Sequence, residues 1–269
     1  MPRLNNKVSL ITGASRGIGL AIAKAFLREG AIVILSDIDT DLGLLAIKEL
    51  RGKSQFCRLD VRQEIDWEKV TQEIISRYGK LDILVNNAGI TGFENGVVNH
   101  DPENVNLEDW RAVHATNLEG TLLGCKYAIR AMRKNREGSI INISSRSGLV
   151  GIPRAAAYAS SKAAIRNHTK TVALYCAEEG LNIRCNSIHP AAILTPMWEP
   201  MLGDEPKVRE QNMREFIKDC PMQRFGEPSE VASLAVLLAS DEAAYMNGTE
   251  LTIDGALLAG SAVSPASRT

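Results

Sequence analysis

Three residues of this chain have the types and spacing for proton exchange with an oxygen atom: Ser145, Tyr158 and Lys162. Tyr158 and Lys162 stand four residues apart in Tyr158-Ala159-Ser160-Ser161-Lys162, so on a helix they share one face. A free phenol has a pKa near ~10, too high for efficient exchange at neutral pH, and a nearby ammonium favours its ionised form. Ser145 precedes the tyrosine by 13 residues and ends a predicted strand, where open α/β sheets place their ligands. A YxxxK pair is common by chance, and a serine after a strand often only caps a turn. Together the three supply what an alkoxide needs as it gains or loses a proton: an exchanging phenol, a hydroxyl to hold the oxygen, and a cation to favour the phenolate.

A second constellation suits a phosphate. Residues 7–12 (KVSLIT) read as a strand that runs into Thr12-Gly13-Ala14-Ser15-Arg16-Gly17-Ile18-Gly19 and then a helical pattern. The glycines permit a tight turn and let backbone N–H groups and the helix N-terminus approach a pyrophosphate. Gly13, Ser15, Arg16, Gly17, Ile18 and Gly19 are the residues expected to bind it. Alone, such a turn is equally a loop that needs positive φ; its place after the first strand of an α/β chain gives it meaning. The second strand ends at Ser36-Asp37, about 20 residues on, where a carboxylate accepts hydrogen bonds from the adenosine ribose. Asp37 would repel the 2′-phosphate of NADP, and Ile38 and Asp39 follow it rather than a basic residue, so the cofactor expected is NAD. Arg16 offers some compensation to that phosphate. The plainer role for Asp37 is a helix cap before residues 40–50, and both roles can coexist.

The elements that must position these groups follow from periodicity. Short β-branched runs at 7–12, 31–36, 54–59, 81–86, 138–144, 182–189 and 249–253 read as strands. Between them, helical patterns occupy 17–29, 40–50, 64–78, 107–134, 156–179 and 228–239, near the length of right-handed crossovers. Several strands are too apolar to be half exposed, which argues for a parallel sheet covered on both faces. The expected fold is α/β: one doubly wound, Rossmann-type domain of about seven parallel strands over residues 1–269, with helices on both faces. Only the tail SAVSPASRT has the composition of a disordered end.

Composition narrows the partners. With 45% hydrophobic and 23% charged residues the chain is ordinarily globular, and 31 Lys plus Arg nearly cancel 32 Asp plus Glu. No bulk field draws it to nucleic acid or an anionic membrane, and the basic residues at 126, 130, 133, 134 and 136 suit a helix C-terminus. Five scattered cysteines and four histidines show no metal-ligand spacing, so no metal is expected and the thiols read as reduced. The N-terminus has no signal-peptide core and no run reaches the ~18 apolar residues of a membrane span, so the expected location is the cytoplasm. Asp254, after the last strand, suits a turn or a subunit contact.

TGxxxGxG at residues 12–19, Asn86-Asn87-Ala88-Gly89, Ser145, the Tyr158 to Lys162 segment and a proline-containing loop together resemble the short-chain dehydrogenase/reductase family, over residues 5 to about 256. The resemblance implies hydride transfer between NAD and a secondary alcohol or ketone, with Tyr158 as acid/base and Lys162 also touching the cofactor ribose. It implies that Asp60 and Val61 flank the adenine, and that Asn87, Ala88 and Gly89 line the nucleotide. Pro190, Ile193 and Thr195 would border the nicotinamide, the last two bonding its carboxamide. Asn117 would position a water in a proton relay through Lys162; its sequence context alone leaves it an ordinary helical polar residue. The family usually has Pro-Gly after the sixth strand, and here Ala191 stands at the glycine position, which cannot take positive φ cheaply. Pairing through 107–134, 156–179 and the last strand would give a homotetramer.

Within the family, EIDW at 64–67, SIINISS, RCNSIHP and TPM resemble bacterial NAD-dependent hydroxysteroid dehydrogenases. The resemblance to 3-oxoacyl-acyl-carrier-protein reductases is looser, since those favour NADP and carry basic residues near the second strand. Residues 195–225 are expected to form a substrate lid, in which Met197, Trp198, Met201 and Leu202, then Met213, Phe216 and Ile217, recur at helical spacing. These stripes suit an apolar or cyclic small-molecule substrate such as a hydroxysteroid, and equally suit simple packing on the domain. Residues 92–106 form a loop longer than is common in the family. A nucleotide-sensing protein without turnover is the rival class, disfavoured because a binding module has no need of Ser145, Tyr158 and Lys162 together.

Overall fold

The computed structural model describes residues 2–94, 96 and 98–260; the tail at 261–269 and two positions of the long loop, 95 and 97, lie outside them. Seven strands form, β1 (Val8–Thr12), β2 (Ile32–Asp37), β3 (Ser54–Arg58), β4 (Ile83–Asn86), β5 (Glu137–Ile143), β6 (Asn182–Pro190) and β7 (Glu250–Ile253). All pair in parallel in the order β3-β2-β1-β4-β5-β6-β7. The two-residue period of a strand divides its apolar residues between two cores. Leu10, Ile34, Leu84 and Ile140 face one core, and their successors Ile11, Leu35, Val85 and Ile141 face the other.

Helices α1 (Gly17–Arg28), α2 (Thr40–Glu49) and α3 (Glu64–Tyr78) make the first crossovers. The expected helix at 107–134 divides: α4 (Leu107–His114) and α5 (Gly120–Met132) are joined by a π-helical turn, Ala115–Glu119. Apolar periodicity cannot register one widened turn, because the residues on either side stay on nearly the same face. Next come α6 (Ala156–Glu178), the short α7 (Glu199–Leu202), α8 (Pro206–Ile217) and α9 (Pro228–Ala239). The α1 and α9 side chains Phe26 and Ala235 fill the core on one face, and Trp67 of α3, Ala128 of α5 and Val172 of α6 fill the other. From β1 the chain winds outward to β3 and then restarts at β4 on the opposite side of β1. That reversal leaves a crevice beyond the carboxyl ends of β1 and β4, the position where open α/β sheets hold ligands.

Candidate active site

The crevice is floored by the turn after β1. Gly13 and Gly17 take φ of 60° and 57°, a region that costs other residues. Asn87, just past β4, binds this turn in place: its Nδ2 donates to Thr12 O at 2.9 Å and Gly13 O at 3.0 Å. In return Thr12 Oγ1 accepts from the N–H groups of Asn87 and Ala88, each at 3.0 Å. A methyl on Gly19 would lie 2.4 Å from Gly13 O and 2.6 Å from Asn87 Nδ2. Gly19 therefore packs behind the turn instead of facing the crevice as expected, while Gly13, Arg16, Gly17 and Ile18 line it. Ser15 does not line it either, but its buried hydroxyl has no partner among the described residues. An orphaned hydroxyl beside a glycine turn at a helix N-terminus fits a phosphate.

Asp37 ends β2 at the rim, accepting from Ser15 N and Asp39 N at 3.2 Å each. The cap of α2 is Asp39, which accepts from Leu42 N at 3.0 Å, so Asp37 does not serve as that cap. Asp60 and Val61 line the next stretch. Arg62 grips both Asp60 oxygens, at 2.9 and 2.7 Å, and holds that carboxyl below the usual carboxylate range.

Ser145 follows β5, and α6 starts at Ala156, early enough to bring Tyr158 and Lys162 to the same wall. Lys162 Nζ donates to Ile143 O at 3.0 Å and lies 5.6 Å from the centre of the Tyr158 ring. Burial lowers the Lys162 pKa to about 8. Burial also pushes Tyr158 up; hydrogen bonding with Ser145 opposes this and the charge of Glu94 adds to it. In the protein alone, desolvation is thus the largest influence on the phenol. Asn117 sits in the π-turn, an irregularity common at functional sites. Its Oδ1 accepts from Ile90 N at 2.8 Å, and its Nδ2 donates to Ile90 O at 2.9 Å and Ser161 Oγ at 3.0 Å. A methyl on Gly89 would lie 3.2 Å from Asn117 Oδ1 and 3.4 Å from Lys162 Nζ, so the two converge behind Gly89 without Asn117 lining the crevice.

The crevice and the cleft it widens into together enclose about 1060 Å³, and the segment after β6 also lines this space. Pro190, Ile193 and Thr195 border it, followed by Met197, Trp198, Met201 and Phe216. Trp198 packs on Phe216 and Phe225, with ring centres 4.9 and 5.4 Å apart, while Leu202 is fully buried as an anchor. Met213 and Ile217 do not line the cleft. These stripes thus include cleft-lining residues, a buried anchor in Leu202, and Trp198, which both packs and lines the cleft.

A family model described as enoyl-(acyl carrier protein) reductase matches residues 13–257. The chain belongs to the short-chain dehydrogenase/reductase family. It is 40% identical over 258 residues to a cyclopentanol dehydrogenase of Comamonas testosteroni, covering 95% of this chain and 98% of that one. It is also 40% identical over 259 residues to a 3-beta-hydroxysteroid dehydrogenase of the same organism (95% and 97%), and over 261 residues to a 3-oxoacyl-[acyl-carrier-protein] reductase of Thermotoga maritima (95% and 99%). Among solved structures, the ligand-free aldohexose dehydrogenase of Thermoplasma acidophilum superimposes with a TM-score of 0.87 at 36% identity, covering 99% of both chains. As a short-chain dehydrogenase/reductase, the protein is an oxidoreductase acting on an alcohol or ketone with a nicotinamide cofactor.

The structure of this short-chain dehydrogenase/reductase adds three residues that its sequence did not single out. Ser144 Oγ donates to Lys162 O at 2.8 Å, and Ser161 links Asn117 to α6. His189 contacts Ser145 O through Nδ1 at 3.2 Å and Ser187 Oγ through Nε2 at 2.8 Å. The doublet Ser144-Ser145 was the available signal for the first; nothing local marks the other two. Ala191 does not take a positive φ, and its N–H bonds to Ile253 O at 3.0 Å, so the missing glycine imposes no strain there. Asp254 closes a turn by accepting from Ala256 N and Leu258 N. Among the described residues no group of His, Cys, Asp or Glu converges in a way that could hold a metal.

Proposed function

We propose that this protein is an NAD-dependent dehydrogenase of secondary alcohols on an apolar, cyclic skeleton, with Tyr158 exchanging the proton. The observation that carries the reading is the meeting of Ser145, Tyr158 and Lys162 on one wall of a cleft whose other wall is Met197, Trp198, Met201 and Phe216. A bound nicotinamide would supply the hydride acceptor or donor. Ser145 Oγ donates a hydrogen bond to the substrate oxygen, and the Tyr158 hydroxyl exchanges its proton with that oxygen. Lys162, held by Ile143 O, supplies positive charge beneath the phenol and reaches the cofactor ribose; Asn117 fixes the Ile90 backbone and steadies a water behind Gly89. Gly13, Ser15, Arg16, Gly17 and Ile18 would hold the pyrophosphate, with Gly19 supporting the turn. Asp37 would take the ribose hydroxyls, Asp60 and Val61 would flank the adenine, Asn87, Ala88 and Gly89 would line the nucleotide, and Pro190, Ile193 and Thr195 would border the nicotinamide. The lid at 195–225 excludes water from the reacting oxygen.

Asp37 supports NAD, since placing a phosphate dianion beside a carboxylate costs more than ~1.4 kcal/mol, a factor of ten in rate. Exposed Leu107, Leu122, Leu174 and Tyr175 on α4, α5 and α6, with the open edge of β7, support a homotetramer. Absorbance of NADH during turnover of cycloalkanols, hydroxysteroids, aldoses and acyl thioesters, each with both cofactors, tests the reading. The expected result is the highest kcat/KM on a cyclic alcohol and at least a tenfold preference for NAD. A higher kcat/KM for an aldose or for reduction of a 3-oxoacyl thioester, or equal use of NADP, would overturn it. Cofactor binding with no turnover on any substrate would favour a sensing role.

A further inference from the structure

Charged groups in the cleft are balanced in number but not in occupation. Six carboxylates line it, and every one already accepts at least two hydrogen bonds. Asp37 and Asp254 accept from backbone N–H groups. Glu94 accepts from Thr91 N, Thr91 Oγ1 and Gly92 N, at 2.6, 2.9 and 2.9 Å. Asp60, Glu199 and Glu230 are gripped by Arg62, Arg209 and Arg224. Six cations also line the cleft. Arg62 and Arg224 are spent in those pairs, and Lys162 is held by Ile143 O. The remaining three, Arg16, Arg146 and Arg154, donate no side-chain hydrogen bond and have no ion-pair partner among the described residues.

Their positions divide. Arg16 lies in the glycine turn, where an anionic pyrophosphate fits, so one free guanidinium already has an anion to meet. Arg146 and Arg154 lie at the reacting end: Arg146 directly follows Ser145, and Arg154 precedes Tyr158 by four residues on the approach to α6. Arg146 is half-buried, which removes part of its hydration while the protein returns no acceptor. A guanidinium in that condition gains most from a bidentate oxyanion.

We infer that Arg146 and Arg154 form a subsite for an oxyanion carried by the substrate itself, a carboxylate or sulfate set away from the reacting carbon on an apolar ring. The inference rests on the dehydrogenase reading and narrows it: the lid takes the ring and the two arginines take its charged end. Glu94, the carboxylate whose charge is felt at Tyr158, opposes such an anion least when its oxygens are engaged by its own turn, as they are here.

Matched alcohols test this: the 3- and 4-hydroxycyclohexanecarboxylates and a ring-hydroxyl sulfate ester of a steroid, each against its uncharged methyl ester or parent alcohol. The charged member is expected to have at least tenfold higher kcat/KM, with the advantage shrinking as salt rises from low to high ionic strength. The ratio of charged to uncharged kcat/KM should fall at least threefold in Arg146→Gln and in Arg154→Gln, and to about one in the double variant. An uncharged member used as well as or better than its partner overturns the subsite, as does a ratio unmoved in the double variant. Calorimetric titration of the cofactor-loaded enzyme with cyclohexanecarboxylate against cyclohexanecarboxamide reads the subsite without turnover. Tenfold tighter carboxylate binding supports it and equal binding overturns it. If no alcohol is oxidised, the dehydrogenase reading fails while this titration still decides the subsite.

Discussion

A phenol is useful as an acid/base only if its proton leaves at working pH, and here burial works against that. Since Tyr158 is raised above its ordinary value in the free protein, alcohol oxidation, which needs the phenolate, should speed up from pH 7 to pH 8, below the point at which Lys162 loses its charge. Ketone reduction, which needs the neutral phenol, should stay flat between pH 6 and 8. Initial rates in both directions across that range check the sign, and oxidation that slows as pH rises from 7 to 8 would refute it. Tyr158→Phe should lower kcat at least a hundredfold with cofactor affinity within a few fold, measured by NADH fluorescence; a tenth of the rate surviving would remove Tyr158 from its role. Lys162 carries a cost of its own, being 4% exposed with a pKa lowered to about 8. Its folded-state value lies below its unfolded one, so the unfolded chain binds the extra proton between about pH 8 and 10.5. Stability rises with pH across that window, and the penalty is fully present below pH 8. Lys162→Met should therefore abolish turnover yet raise stability at pH 7 by up to about 3 kcal/mol, read by denaturant unfolding. A loss of stability at pH 7 would show that the bond to Ile143 O outweighs the desolvation.

At the scale of elements, what the sequence discloses depends on whether an element's reason for existing is local. The strands and the six long helical patterns were legible because burial on two faces writes a period into the chain, and the glycine turn because positive φ at Gly13 and Gly17 selects residue type. The π-turn at Ala115–Glu119 was not legible, since its purpose is to turn Asn117 toward Ile90 and Ser161, both distant in the chain. For the same reason His189 looked idle: its partner, Ser145 O, lies 44 residues away. Gly19 looked like a ligand contact because the close approach of Asn87 that demands it arrives from β4. The segment at 195–225 is intermediate, with helical spacing visible but the difference between buried and cleft-lining residues hidden. Trp198 does both, touching Phe216 and Phe225 while lining the cleft. Trp198→Ala should raise KM for a cycloalkanol at least fivefold with cofactor affinity unchanged, and cost about 2 kcal/mol of stability, less than the roughly 3–5 of a core tryptophan. Stability lost with KM unmoved would reduce Trp198 to packing.

For the whole molecule, the question is what covers the face that α4, α5 and α6 present outward. Leu107, Leu122 and Leu174, on these three helices, are 58%, 48% and 71% exposed, and α6 carries Tyr158 and Lys162 on its other side. At a different edge, β7 pairs only with β6 among the described residues and leaves its outer backbone groups open there, and the fully exposed Tyr245 lies in the turn before it. If each surface, one of helices and one at a strand edge, pairs with its own copy, two perpendicular two-fold axes result and the closed assembly is a tetramer. Sedimentation should accordingly give four times the 29.3 kDa chain mass at micromolar concentration, and a monomeric mass would contradict it. The two surfaces should also differ in consequence. Leu174→Glu, by placing charges face to face across the helix pair, should yield dimers and lower kcat severalfold, since α6 and the π-turn beside it lose the support that fixes Tyr158, Lys162 and Asn117. Tyr245→Glu, in the turn that leads into β7, should yield dimers whose kcat stays within twofold, because neither that turn nor β7 bears a residue of the proton-exchanging set. If both variants remain tetrameric, or if the helix-face dimer keeps full kcat, assembly and catalysis are independent and the outward faces of α4 to α6 serve some other contact.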